Sequence, residues 1–224
     1  MVRVMPGQDE GQGAGLSPDL LLRAYRNGLF PMADTRDSPE LFWCDPHRRG
    51  VLLPGDFHIS RSLARRIRAE PFAITTDRAF AEVVEGCADR PETWINDRIF
   101  ALFCEMHRLG HAHSLELWEG AELVGGVYGL AQGGVFFAES MFSRRRDASK
   151  IALAYLCHRL RAGGFALIDT QFLTPHLASL GAVEMSRTHY RALLREGLGL
   201  HADFDALPRM PSPQEVVQRN TQMS

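Results

Sequence analysis

Residues 134–160 limit the possible folds more than any other stretch. An apolar, strand-like segment (134–138) leads through Glu139-Ser140-Met141-Phe142-Ser143-Arg144-Arg145-Arg146-Asp147 into an apolar segment of helical length (151–160). A strand feeding a helix through a polar loop is an α/β unit. Such loops commonly carry binding and catalytic groups, because the flanking elements are rigid while the loop stays accessible. Three adjacent arginines repel one another, so a crossover that keeps them suits an anion, and phosphate matches the planar guanidinium fork. The alternative is a solvated charged loop.

The remaining pattern extends this reading. Ser17-Pro18-Asp19, then Leu20, Leu21, Ala24 and Tyr25, then Asn27-Gly28, form a capped helix with a glycine exit. In a helix over about residues 60–70, Leu63 and Ile67 define one face, and Arg61, Arg65 and Arg68 define another, with Arg66 beside them. Further helices are expected over 77–85, 96–109, 148–162 and from 186. Strands are expected over 114–118, 123–131, 134–138, 166–169 and 183–185, with 43–53 extended. Glu119-Gly120 and Gly133-Gly134 read as hairpin turns. Helices, a strand meander and then β-α-β-α describe an α+β / α/β acyltransferase-type domain with a mixed, mainly antiparallel sheet. Residues 1–45 read as a small N-terminal lobe whose first 16 residues form a mobile lead. Residues 46–224 read as the catalytic domain, with a polar tail after His201 that wraps the surface or frays.

Composition excludes several classes. No run of about 18 apolar residues supports a membrane span, and residues 1–16 lack the basic and apolar regions of a signal peptide. Cys44, Cys87, Cys104 and Cys157 are scattered without CxxC spacing, so buried reduced thiols in the cytoplasm are the simplest reading. The net charge of −2 discourages nucleic-acid binding by itself, but the 25 basic residues comprise one lysine, Lys150, and hence 24 arginines, several of them clustered.

Several residues could carry chemistry. Asp169 and Gln171 lie at i and i+2 at the end of an apolar strand and share a face. The Asp169 carboxylate could orient Gln171, whose amide oxygen could accept a hydrogen bond from an amine. Alternatively, Asp169 caps a neighbouring backbone and Gln171 simply leaves the strand. Glu139, at another strand end, could hold a cationic group or be a structural partner of the nearby arginines. Trp94, in a loop after Pro91-Glu92-Thr93, could stack a nucleobase or anchor the loop. No Gly-x-Ser-x-Gly word or Cys–His pairing points to a hydrolase. His111 and His113 alternate on a strand without a third metal ligand close in sequence, so hydrogen bonding is favoured and no metal is assigned.

These words occur together in one known order. Leu29-Phe30-Pro31, Trp43 with Asp45-Pro46, His58-Ile59-Ser60-Arg61-Ser62, Leu109-Gly110-His111-Ala112-His113-Ser114, Glu139-Ser140-Met141-Phe142-Ser143-Arg144, Ala148-Ser149-Lys150, Ile168-Asp169 with Gln171, and Ser179-Leu180-Gly181-Ala182 closely resemble the leucyl/phenylalanyl-tRNA–protein transferases. The likeness runs from about Ser17 to about Tyr190. The chain departs from it at Met32, where the family often has an aromatic.

The resemblance implies a GCN5-related N-acetyltransferase-like domain and no cofactor. It also implies transfer of Leu or Phe, with Met as a further candidate, from aminoacyl-tRNA to proteins with N-terminal Arg or Lys, marking them for degradation. Asp169, Gln171 and Glu139 would line the transfer site. A bulky apolar donor requires apolar walls, for which Val127, Phe136, Met141 and Leu160 are candidates by position. Trp94 would take the terminal adenine, and Arg61, Arg65, Arg66, Arg68, Arg144, Arg145 and Arg146 the acceptor-stem backbone. The expected protein is a cytoplasmic monomer. One competitor, an acyl-CoA-dependent N-acyltransferase, should carry a pyrophosphate-cradling Gln/Arg-x-x-Gly-x-Gly/Ala word, which is not found. Another, an RNA-binding module, would leave Asp169 and Gln171 without a role.

Overall fold

Two glycines in the left-handed region, Gly120 (φ 62°) and Gly133 (φ 55°), close the hairpins that the sequence marks. They join β6 (Ala112–Glu119), β7 (Glu122–Gln132) and β8 (Val135–Ser143) into an antiparallel meander. The computed structural model describes residues 2–4 and 16–219. The meander is the centre of a seven-stranded sheet. Adding β4 (Arg48–Leu52), β5 (Ala73–Thr76), β9 (Leu167–Gln171) and β10 (Val183–Ser186) gives the order β10-β4-β9-β8-β7-β6-β5. Every pairing is antiparallel except β8 with β9, which is parallel and reached through the crossover helix α5 (Ala148–Ala162). A second sheet, in the order β1-β3-β2, is built from β1 (Val2–Val4), β2 (Phe30–Met32) and β3 (Phe42–Asp45).

Helices cover both faces of the large sheet. One face packs α2 (Arg61–Arg68), α5 and α8 (Pro213–Arg219) into a core containing Leu63, Ile67, Val127, Phe136, Leu160, Ile168 and Val216. The opposite face packs α1 (Pro18–Arg26), α3 (Phe80–Ala88), α4 (Asp97–Arg108) and α7 (Arg187–Leu198) with residues of the small sheet, around Tyr25, Val83, Phe103, Tyr128, Phe137 and Tyr190. The expected helix starts follow from their caps. The side chains of Ser17, Ser60 and Asn96 accept from the backbone nitrogens of Leu20, Leu63 and Ile99. A short α6 (Pro175–Ala178) lies between β9 and β10.

The structure adds detail to four of these expectations. The extended stretch over 43–53 is two strands in two sheets, broken at Pro46-His47. The helix expected from residue 77 starts at Phe80, because Asp77 (φ 56°) turns its carboxylate back to the Ser114 nitrogen (2.7 Å) and to His113. The tail after His201 is docked: Phe204, Val216 and Val217 are buried in the core. In the lead before Ser17, Val2–Val4 pairs with β3, while residues 5–15 lie outside the described residues. All four cysteines are free, and burial pushes the Cys87 thiol up to about 12. Among the described residues, no helix is long and apolar enough to cross a membrane.

Candidate active site

Parallel pairing of β8 and β9 covers only Val135–Phe137 against Leu167–Asp169. Beyond it the two strands continue unpaired with each other, with Glu139 on one and Gln171 on the other. Both strands are irregular at this point. On β8, Tyr128 pairs with Ser140 and Gly129 with Ala138, so Glu139 is the extra residue of a bulge. The bulge resets the alternation. Glu139 points to the face holding Tyr25, and Met141 returns to the face shared with Phe136. On β9, Gly50 pairs with Gln171 and Val51 with Asp169, leaving Thr170 without a partner, and Gln171 adopts a left-handed backbone (φ 57°). For a residue other than glycine, that conformation costs on the order of 1 kcal/mol and persists only where the surroundings enforce it. A Cβ on Gly50 would stand 2.7 Å from the Leu173 nitrogen, so only glycine lets the chain after Gln171 fold this closely onto β4.

Two hydrogen-bonded groups fill this site. In the first, the Glu139 Oε1 accepts the Tyr25 hydroxyl at 2.6 Å. Burial raises the Glu139 carboxyl from its ordinary 4.5 to about 8; the Tyr25 hydrogen bond and Arg49 oppose this, and the charge on Asp169 adds to it. The Gln171 carboxamide is oriented by its neighbours. With its nitrogen toward the carbonyls of Ala138 (2.9 Å) and Thr170 (3.1 Å), it donates to both. Its oxygen then stands 3.5 Å from Glu139 Oε1, acceptor facing acceptor unless Glu139 carries a proton. The raised pKa and the amide orientation agree on a protonated Glu139 near neutral pH.

In the second group, Asp169 is fully buried and receives four donors: Arg49 Nε (2.8 Å) and NH2 (2.6 Å), the Tyr190 hydroxyl (2.7 Å) and the Gln171 backbone nitrogen (2.9 Å). Arg49 is itself 1% exposed, donates to the Gly28 carbonyl at 3.0 Å, and lies between the rings of Phe30 (4.6 Å) and Tyr190 (4.5 Å). Burial alone would lower the Arg49 pKa, but the Asp169 carboxylate more than offsets this and raises it.

The structure thus brings Asp169, Gln171 and Glu139 together, with Asp169 holding the Gln171 backbone and not its side chain. Tyr25, Arg49 and Tyr190 complete the site and were not singled out from sequence. Tyr25 reads there as a helix-face aromatic, and nothing in His47-Arg48-Arg49-Gly50 marks one arginine over the other. Val127, Phe136 and Leu160 are buried on the opposite face of the sheet, with Met141 half-buried beside them. Trp94 is half-buried against the core that contains Tyr25.

The arginines also separate. Arg61, Arg65 and Arg68 are exposed on α2, whereas Arg66 is half-buried with its guanidinium 5.9 Å from the Phe72 ring centroid. In the crossover loop, Arg145 pairs with Glu119 (2.7 Å) and Glu122 (2.8 Å) at the β6–β7 turn. Arg144 pairs with Asp89 (3.5 Å) and donates to the Leu123 carbonyl, while Arg146, 92% exposed, lies 3.6 Å from the Asp147 carboxylate. His113 Nδ1 lies 2.7 Å from Asp77 Oδ2. Asp205 brings a third potential ligand within 4.8 Å of both, but Arg159 already pairs with it at 3.1 Å.

The geometry first defines a class: a mixed-sheet α/β protein that holds a buried acid at a strand split. Comparison with known proteins then makes it a transferase. The family model described as leucyl/phenylalanyl-tRNA protein transferase matches residues 51–195, and that of the N-terminal domain matches residues 14–47. The leucyl/phenylalanyl-tRNA–protein transferase of Ruegeria sp. (strain TM1040) is 62% identical over 93% of this chain and 99% of its own. That of Cereibacter sphaeroides (strain KD131) is 60% identical over 93% of this chain and 98% of its own. The chain therefore belongs to the leucyl/phenylalanyl-tRNA protein transferase family. The solved L-PGS of Bacillus licheniformis, at 13% identity, covers 74% of this chain and 56% of that one with a TM-score of 0.40, too low to carry an argument.

Proposed function

We propose that the protein moves Leu or Phe, with Met as a further candidate, from aminoacyl-tRNA to the N-terminal Arg or Lys of acceptor proteins. It would do so as a monomer in the cytoplasm, marking those proteins for degradation. The names of its relatives support the donor and acceptor classes. The observation that carries the chemistry is the buried Glu139 acid, raised to about 8, beside Gln171 at the strand split. In this reading the neutral α-amine of the acceptor attacks the ester carbonyl carbon. A C–N bond forms, the bond to the ribose oxygen breaks, and the proton released by the amine ends on that oxygen. The ester is already activated, so positioning supplies much of the acceleration without a covalent enzyme intermediate. A group that changes protonation near the working pH is suited to pass that proton, which assigns the task to Glu139. Exposed Arg61, Arg65, Arg68 and Arg146 meet the tRNA backbone, and Trp94 stacks the terminal adenine. Val127, Phe136, Met141 and Leu160 remain the proposed apolar walls, Met141 being the most accessible of them.

The test supplies purified protein with labelled Leu-tRNA and peptides beginning with Arg, Lys or Glu, with labelled acetyl-CoA as a rival donor. Label entering the Arg and Lys peptides from tRNA alone is expected. Label arriving only from acetyl-CoA would overturn the reading.

A further inference from the structure

Gln171 occupies a backbone conformation that its own side chain does not favour, and its backbone nitrogen is fixed by one atom, Asp169 Oδ1, at 2.9 Å. The same oxygen is gripped by Arg49 Nε, while Arg49 NH2 and the Tyr190 hydroxyl hold the other carboxylate oxygen. Asp169 therefore has no free donor-facing direction. Being wholly buried beneath these partners, it is placed to transmit position and not to meet a substrate. Arg49 is anchored in turn by the Gly28 carbonyl at the end of α1 and by two aromatic rings, so its planar fork is held on both faces and at one end. Its neighbour Gly50 leaves the space into which residues 172 and 173 turn after Gln171.

We propose that Arg49 is a positioning residue of the transfer site: through its two-point grip on Asp169 it holds the Gln171 backbone left-handed and so aims the Gln171 carboxamide at Glu139. The proposal deepens the functional reading above and, for its kinetic part, rests on it. Asp169 is in this account the rigid link between Arg49 and Gln171. The chain of contacts runs from Arg49 on β4 to Asp169 and Gln171 on β9 and then to Glu139 on β8, so three neighbouring strands are locked where two of them part.

The experiment compares wild type, Arg49→Lys, Gln171→Ala and the double variant. Lysine keeps the charge and loses the fork, which is not a conservative change at a two-point site. Single-turnover transfer of labelled Leu to an Arg-initiated peptide is measured across tRNA concentrations, and exchange of the Gln171 and Ile168 backbone amides is followed by NMR. For Arg49→Lys, the saturating rate should fall about tenfold or more, because a small misplacement at a reacting centre is expensive, with less than about a twofold change in half-saturating tRNA. In the Gln171→Ala background the same change should cost less than about twofold further, since both act through one group. Gln171 amide exchange should quicken about tenfold while Ile168 stays protected.

Equal rate losses from Arg49→Lys in both backgrounds, or an unchanged Gln171 exchange rate, would overturn the proposal. If Arg49→Lys also unprotects Ile168, Tyr190→Phe takes its place. It removes one donor and leaves the ion pair, with an expected rate loss of about threefold that also vanishes in Gln171→Ala. A protein that transfers no amino acid from tRNA would refute the functional reading, and the exchange comparison would still decide whether Arg49 holds Gln171.

Discussion

The Tyr25 hydroxyl donates to Glu139 Oε1 at 2.6 Å, joining the first helix to a strand bulge 114 residues away. This is the hydrogen bond that favours the ionised form of Glu139 against its burial. Tyr25→Phe removes it and leaves the packing of the ring on Phe137, 4.7 Å away between centroids. The Glu139 carboxyl should then rise further above 8, and any limb of the pH–rate profile that reports it should move to higher pH. The acceptor's α-amine also titrates at about 7.7–8.0, so Glu139→Gln is the control. A limb that persists unchanged in Glu139→Gln belongs to the amine, and one that fails to move in Tyr25→Phe removes Glu139 from the proton path.

Glu139 also makes stability depend on pH. At pH values under the ordinary 4.5, folded and unfolded chains both carry the proton. As the pH rises from there to about 8, the unfolded chain releases it while the folded chain keeps it, so stability is lost until the folded carboxyl ionises too. Glu139→Gln preserves the shape and an acceptor for Tyr25 but does not titrate. Its stability relative to wild type should therefore rise by a few kcal/mol in order of magnitude across that window, as read from urea midpoints at a series of pH values. Parallel curves for the two proteins would mean that the buried carboxyl is not protonated as described.

What could be read from sequence depended on how local the determinant was. The caps at Ser17, Ser60 and Asn96 and the hairpin glycines act within a few residues, and the helices and meander they define appear where expected. The buried ion pair was invisible for the opposite reason. Arg48 and Arg49 are adjacent and chemically alike, yet one side chain is 62% exposed and the other 1%. Only the register of β4 on β9, set 120 residues later, separates them. The bulge at Glu139 likewise shifts the phase of β8. Simple alternation would therefore place the face of Met141 wrongly relative to Glu139, and the four apolar candidates chosen by position near the strand ends prove to lie across the sheet from the acid.

The arginine clusters should behave differently from one another. Arg61, Arg65 and Arg68 are exposed on one helix and show no ion-pair partner among the described residues, whereas Arg144 and Arg145 are engaged by Asp89, Glu119 and Glu122. Replacing Arg65 and Arg68 by Ala should weaken tRNA binding and reduce the salt slope by about 0.9 per lost phosphate contact on a duplex stem. Arg145→Ala should leave that slope nearly unchanged, while Arg146→Ala lowers it. Filter binding across a salt series checks this, and a slope lowered equally by Arg145→Ala and Arg65→Ala would show that the loop's ion pairs open to meet the RNA.

Leu160 decides whether the apolar candidates are walls or core. It is fully buried in α5, within the cluster that includes Val127, Phe136 and Phe165, on the face away from Glu139. A leucine in that setting loses about 2–5 kcal/mol on truncation to Ala, because neighbouring side chains only partly collapse into the space. If its role is packing, Leu160→Ala should lower the unfolding free energy from urea titration by that amount and leave the ratio of Leu to Phe transfer unchanged once the folded fraction is accounted for. If it lines the donor pocket, the added volume should favour Phe over Leu at small cost to stability. Met141, half-buried on the same face, is the position where the second outcome has more room to occur. Running Met141→Ala beside Leu160→Ala therefore places the specificity boundary, since a shift in donor ratio confined to Met141 would put the pocket at the strand end, and a shift in both would carry it into the sheet's core.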